Sequence, residues 1–341
     1  MTTQSYLLGV GAGFVAAFVF ASATTGPLPV RFILFVLTPL PIFLAGLGWG
    51  YRSALVAGLA GAVFIAMMSN APIGVVFAIT QALPCVVLCY LAHLNRPAAQ
   101  NNSTQTPPGD VATKSDANVE WYPVGRLVLW AAALSAVIAI AMLLVLGGDM
   151  DALKKSLRSS MEVFAKQQIP QGGDAGTSTV SPENLDQMTD IALRVLPAIA
   201  AISIMASLLF NLWLAARITL VSGNLSRPWP DLSALTYPPM AALALSVSIL
   251  ASFLSGTLGI IATAVSGACY LAYVLLGLAI LHHLTRGHAW RPFALWAAYL
   301  MLIFNMGLSF IPALVGLAEP FSPINRGRGG GPPGQPPNTL T

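Results

Sequence analysis

Charge is scarce in this chain: Asp, Glu, Lys and Arg make up 8% of its 341 residues while 56% are hydrophobic, where soluble domains carry about 25% charged residues. A soluble fold of this length could not enclose so much apolar surface, whereas a bilayer takes it as solvent. Nucleic acid is excluded as a partner. The 16 Lys and Arg exceed the 12 Asp and Glu by only +4, and the excess sits mostly in loops, where it meets anionic headgroups and sets orientation. Cysteine is also sparse: Cys85 and Cys89 share a helical face with His93, Cys269 stands in another apolar segment, and no acidic neighbour completes a metal site. Neither a disulfide framework nor a resident metal or cofactor is expected. The chain lacks a phosphate-binding loop ending in Gly-Lys-Ser or Gly-Lys-Thr, a paired-His metalloprotease helix and a nucleophile elbow. No Asp or Glu lies well inside an apolar run, so the carboxylate of an ion-coupled carrier has no candidate. An enzyme is not expected.

What remains is a series of apolar runs of bilayer-crossing length. They predict an all-α fold, a polytopic transmembrane helix bundle of eight or nine spans, at 6–21, 32–50, 53–68, 73–94, 127–146, 191–221, 240–255, 258–281 and 293–317. The chain divides into a four-span block (1–95), a polar flexible connector (96–125), a fifth span (126–147), an amphipathic helix with a linker (148–190), a membrane block of about four spans (191–317) and a disordered Gly/Pro-rich tail (318–341). Ala21, Ser22 and Ala23 resemble a signal cleavage site, but no basic region precedes the first run, so it reads as a retained span.

The long run 191–221 is the centre of the chain. Polar residues within such runs are costly against lipid, so Gln81, Asn211 and Asn305 are candidate ligand contacts, the alternative being hydrogen bonds between helices. Pro39 and Pro41 free backbone groups, and that span should face protein. Gln81 and Pro84 should break the fourth span. In 151–168, Leu153, Leu157, Met161 and Phe164 recur on one helical face and Lys154, Lys155, Arg158 and Lys166 fill the rest. That pattern suits a helix lying on the membrane, or a small helix folded over the loop ends. Arg217, Arg227 and Trp229 join Lys154, Lys155 and Arg158 as candidate interfacial or partner contacts. His282, His283, Arg286 and His288 read as an interfacial basic cluster. Short-loop arginines fall mainly on one side (Arg52, Arg96, Arg126, Arg217, Arg227, Arg286, Arg291), which places the amino terminus in the cytoplasm.

The proline-interrupted second span, the hairpin at 50–52, the amphipathic loop and the run Arg227-Pro228-Trp229-Pro230-Asp231 together resemble the YybS-like family of uncharacterised bacterial membrane proteins. Gly277-Leu278-Ala279, then Gly316, Glu319, Phe321 and Arg326, are similar to that family's closing pattern. The resemblance implies a multi-pass protein of the bacterial cytoplasmic (inner) membrane. The amino-terminal half is also similar to the substrate-binding subunits of energy-coupling-factor vitamin transporters. That likeness implies a transporter ATPase and a coupling subunit as partners, with Ala12 and Ala16 at the docking spacing. Two functional expectations follow: a transport-associated subunit that binds a small solute without its own ATPase, or a membrane scaffold recruiting partners through 151–168.

Overall fold

The computed structural model describes residues 3–24, 27–97, 119–146, 150–167 and 181–319. Small residues decide how the amino-terminal helices meet. Helix α1 (Thr3–Ser22) lies along α4 (Tyr51–Met68), because Gly9 and Gly13 leave the space that the backbone of Ser53 and Ala57 occupies. The Ser53 hydroxyl donates to the Ser5 carbonyl at 2.8 Å across the same contact. Ala16 is fully buried and Ala12 packs on the core. The face implied for docking a partner is therefore turned inward within the chain.

The second span is two half-helices, α2 (Leu28–Leu37) and α3 (Leu40–Trp49), joined at Thr38 and Pro39. Only α3 faces protein, burying Ile42, Phe43 and Leu47, whereas α2 buries nothing and exposes Leu28, Phe32 and Ile33. The fourth span is not broken. Asn70 caps α5 (Ala71–Phe77) by accepting the Ile73 N–H at 3.0 Å, and α6 (Leu83–His93) follows through a single π turn at Ala78–Ala82. Pro84 has no N–H for the Thr80 carbonyl, so the ladder slips one residue and Leu83 donates to the Ala78 carbonyl. The polar connector is zipped at its two ends: β1 (Asn95–Pro97) pairs antiparallel with β2 (Val119–Trp121), and Arg96 meets Glu120 at 2.8 Å. Its middle, 98–118, lies outside the described residues.

Helix α7 (Val124–Leu146) precedes α8 (Met150–Gln167) and the long α9 (Pro182–Val221). With 40 residues, α9 is about 60 Å long, twice the hydrocarbon thickness of about 30 Å. It starts nine residues ahead of the apolar run because Ser181 caps it, accepting the Asn184 N–H at 3.2 Å, with Pro182 and Glu183 in the first turn. This polar extension explains where α8 goes. Lys154 pairs with Asp190 at 2.6 Å, Arg158 with Asp186 at 3.2 Å, and the Thr189 hydroxyl contacts Met161 Sδ. Helix α8 thus packs against α9, where its cations Lys154 and Arg158 answer α9 carboxylates. Lys155 stays exposed. The side chains of Leu153, Phe164 and Lys166 lie outside the described residues.

In the last block, α10 (Pro239–Ala251) has only 13 residues, about 20 Å of helix. The preceding connector runs inward along α11 (Gly256–Leu284): the Tyr237 hydroxyl donates to the Ala272 carbonyl at 2.9 Å, and its ring stands edge-on to Tyr273. The expected last span is interrupted. Asn305 ends α12 (Arg291–Phe304) and accepts the Gly307 N–H, opening a 3-10 turn before α13 (Phe310–Leu317). Among the described residues, seven helices are long and apolar enough to cross a membrane, and two apolar segments, Pro239–Ala251 and Gly307–Leu317, are shorter. The eight or nine expected spans resolve into these. The tail begins later than 318, since Glu319 is 3% exposed and acts electrostatically on Tyr237 and Tyr273. Residues 320–341 lie outside the described residues.

Helix α13 is held by glycines: Gly277 faces the Pro312 backbone and Gly316 faces the Tyr273 carbonyl, with no room at either for a Cβ. Gly277→Val should displace α13 and cost about 1–3 kcal/mol or more, as overpacking against a fixed neighbour does. The measurement is thermal unfolding in detergent, with Gly11→Ala, at an open helical position, as the comparison.

Candidate functional site

Two neighbouring features fix the interior around α9. At the first, the kink between α2 and α3 is clasped from the side: Ser207 Oγ donates to the Val36 carbonyl at 2.9 Å and Asn211 Nδ2 to the same oxygen at 2.6 Å. Asn211 Nδ2 also donates to the Ser207 carbonyl at 2.7 Å. The amide cannot be turned over, since Oδ1 would then face two carbonyl oxygens. Asn211 is wholly buried, and its Oδ1 has no partner among the described residues. On the other side of the kink the Cys85 thiol lies 3.9 Å from the Pro39 carbonyl. Backbone groups in hydrocarbon need such partners.

The second feature is a cavity of about 1160 Å³ at one end of the bundle. Helices α9 and α11 touch where Gly267 meets Ala198 and part beyond that point. The space between them is walled by Ala206 to Ala216 of α9, Leu271 to Ala279 of α11, and Leu127 and Val128 of α7. Those walls are apolar. The mouth is not: His93, Arg227, Asp231, His282, Arg286 and Arg291 stand there, with Trp229 and Tyr299. The connector 225–235 forms one lip.

Each polar residue at the mouth has a definite setting. Arg227 donates to the Tyr122 carbonyl at 2.9 Å and is half-buried, and burial pulls its pKa down, the mark of a cation with little anionic compensation. Asp231 accepts the Ser233 hydroxyl at 2.7 Å and the Ser233 N–H at 3.0 Å, and pairs with Arg286 at 3.2 Å. The Ser233 hydroxyl bond is the main cause that holds its carboxyl below the usual range; partial burial opposes it, and the Ser233 N–H and Arg286 add to it. Arg291 has no side-chain partner among the described residues. His93 and His282 lie 2.7 and 2.9 Å by Nδ1 from the carbonyls of Cys89 and Leu278. A carbonyl only accepts, so Nδ1 carries the proton and Nε2 remains as the second ring nitrogen of each. Three guanidiniums against one carboxylate leave the mouth cationic.

The structure separates the sequence candidates. Gln81 sits in the π turn, 5% exposed, and Asn211 in the kink clasp; Asn305 is exposed and caps the 3-10 turn. None of the three lines the cavity. Arg227 and Trp229 do, and Arg217 stacks over the Trp229 ring at 5.1 Å from its centroid. Asp231, Arg291 and Tyr299 were not singled out as site residues, although the polar ends of runs closing on the same side were the available signal. Among the described residues no cluster of His, Cys, Asp or Glu could hold a metal ion.

Two outcomes follow. Asn211→Ala should cost about 0.6–1.7 kcal/mol, the range for hydrogen bonds between membrane helices, read as a lower unfolding midpoint in detergent. Ser207→Ala combined with it should cost more, because the Val36 carbonyl then loses both side-chain donors. Asp231, with its native pKa depressed, adds stability above the unfolded pKa of about 3.9, and the contribution fades as pH falls through the lower native value. The pair is about half exposed, so this is worth at most about 1 kcal/mol. Asp231→Asn should lower the unfolding midpoint at pH 7, and the difference from wild type should vanish in acid.

The family model for predicted membrane proteins designated DUF2232 matches residues 14–318. No curated protein and no solved structure matches the chain. The matched region takes in all of the cavity and the kink clasp, from Val36 to Tyr299, and the chain belongs to this family of predicted membrane proteins, DUF2232.

Proposed function

We propose that this protein is a transport-associated subunit of the bacterial cytoplasmic membrane that binds a ligand between α7, α9 and α11 and does not convert it chemically. The observation that carries this reading is the cavity. Ligand sites are concave, mostly apolar and furnished with a few convergent polar groups, and here the polar groups gather at one end. The same end collects Arg96, Arg126, Arg217, Arg227, Arg286 and Arg291, so the excess of arginine in short loops supports a cytoplasmic mouth and a cytoplasmic amino terminus. Transport would then need an ATPase and a coupling subunit from elsewhere, in keeping with the likeness to energy-coupling-factor substrate-binding subunits. Their docking face is not Ala12 and Ala16, which α4 covers. The scaffold alternative loses support where Lys154 and Arg158 are engaged by α9.

The test is purification of tagged full-length protein in mild detergent, followed by mass spectrometry of co-purifying proteins and of molecules released on denaturation. Wild type should retain a stoichiometric small molecule, Leu275→Trp should lose it by filling the cavity, and Gln81→Leu and Asn211→Leu should keep it. Equal retention in Leu275→Trp, or no retained molecule in any sample, contradicts the proposal.

A further inference from the structure

The cavity is large for a water-soluble metabolite. Its volume of about 1160 Å³ exceeds the roughly 300–1,000 Å³ of sites that hold drug-sized ligands. It is also long: Ala206 to Ala216 on α9 and Leu271 to His282 on α11 line it, which is about 15 Å along each helix. Polarity changes along that length. Arginine and histidine stand at the mouth, and alanine, leucine and phenylalanine at the far end. A uniformly polar solute would lose its hydration there without replacement, at a cost of about 1–3 kcal/mol for each unpaired group.

Access is the second observation. Phe210 and Trp213 line the cavity and are each 46% exposed, so the apolar part is open rather than sealed among side chains. The third is charge. Arg291 lines the mouth without a side-chain partner among the described residues, while Arg286 shares Asp231. A half-buried guanidinium without a counter-ion favours an oxyanion, which takes two parallel N–H bonds from its planar fork.

We propose that the cavity holds an anionic amphiphile, with a phosphate or carboxylate head at Arg286 and Arg291 and an apolar tail between α9 and α11. This rests on the cavity being the ligand site. The shared chemistry is an oxyanion, which a membrane lipid or a water-soluble phosphate could supply. The apolar length favours the lipid.

The experiment is thermal unfolding of the full-length protein in dodecyl maltoside during titration with dodecyl phosphate, which pairs the same tail with an anionic head, and separately with inorganic phosphate. Dodecyl phosphate should raise the midpoint saturably and inorganic phosphate should leave it in place. Arg291→Gln, which breaks no side-chain hydrogen bond or ion pair among the described residues, should unfold like wild type without ligand and should weaken the apparent affinity for dodecyl phosphate roughly tenfold. Arg291→Lys should restore part of it. An absent shift, an equal shift in Arg291→Gln, or an equal shift from inorganic phosphate overturns the proposal. Retention of a neutral molecule on purification would overturn it too, while leaving the cavity as the ligand site.

Discussion

A backbone carbonyl freed inside hydrocarbon has to find a donor, and in this protein that requirement ties the two halves of the chain together. Pro39 and Pro41 turn the second span, and the Val36 carbonyl at the turn is met by Ser207 and Asn211 of α9, while the Cys85 thiol of α6 adds a second donor to the Pro39 carbonyl, which already accepts the Phe43 N–H. The clasp sets α9 against α3 on one side. On its other side α9 packs with α7 and α11. Helices α9 and α11 meet closely at Ala198 and Gly267, where small side chains let them touch, and α11 carries Leu271, Leu275 and Leu278 beyond that point. The cavity lies beyond that contact, walled by Leu209, Phe210 and Leu212 of α9 and by the leucines of α11.

Much of this was legible in the residues. Apolar runs of sufficient length fixed the class, and Asn211 was readable as a buried hydrogen-bonding group. Helix continuity was less so. Pro84 was expected to break its span, but a π turn absorbs one lost hydrogen bond at small cost, so the proline displaces the ladder without ending the helix. Asn305, with no proline beside it, does end one, because its side chain offers the Gly307 N–H a better partner than a further helical turn.

The cavity itself was not legible. Its polar residues come from the ends of α6, α11 and α12 and from the 225–235 connector, and sequence order says nothing about which ends converge. The cations of α8 were ambiguous in isolation: amphipathic spacing is the same whether the partner is a headgroup or a second helix. What decides is Ser181, which starts α9 early enough to bring Asp186 and Asp190 alongside. Glu319, expected in a disordered tail, is packed beside tyrosines because α13 runs back along α11.

The claim that an apolar cavity beside α9 holds a ligand is tested most directly by site-specific photo-crosslinking in native membranes. A benzophenone side chain is placed at Phe210, which lines the cavity, and in a second protein at Val137, which is exposed on α7 and does not. The account predicts one defined small-molecule adduct at 210 and a mixture matching bulk lipid at 137. The same bulk-lipid mixture at both positions would contradict it.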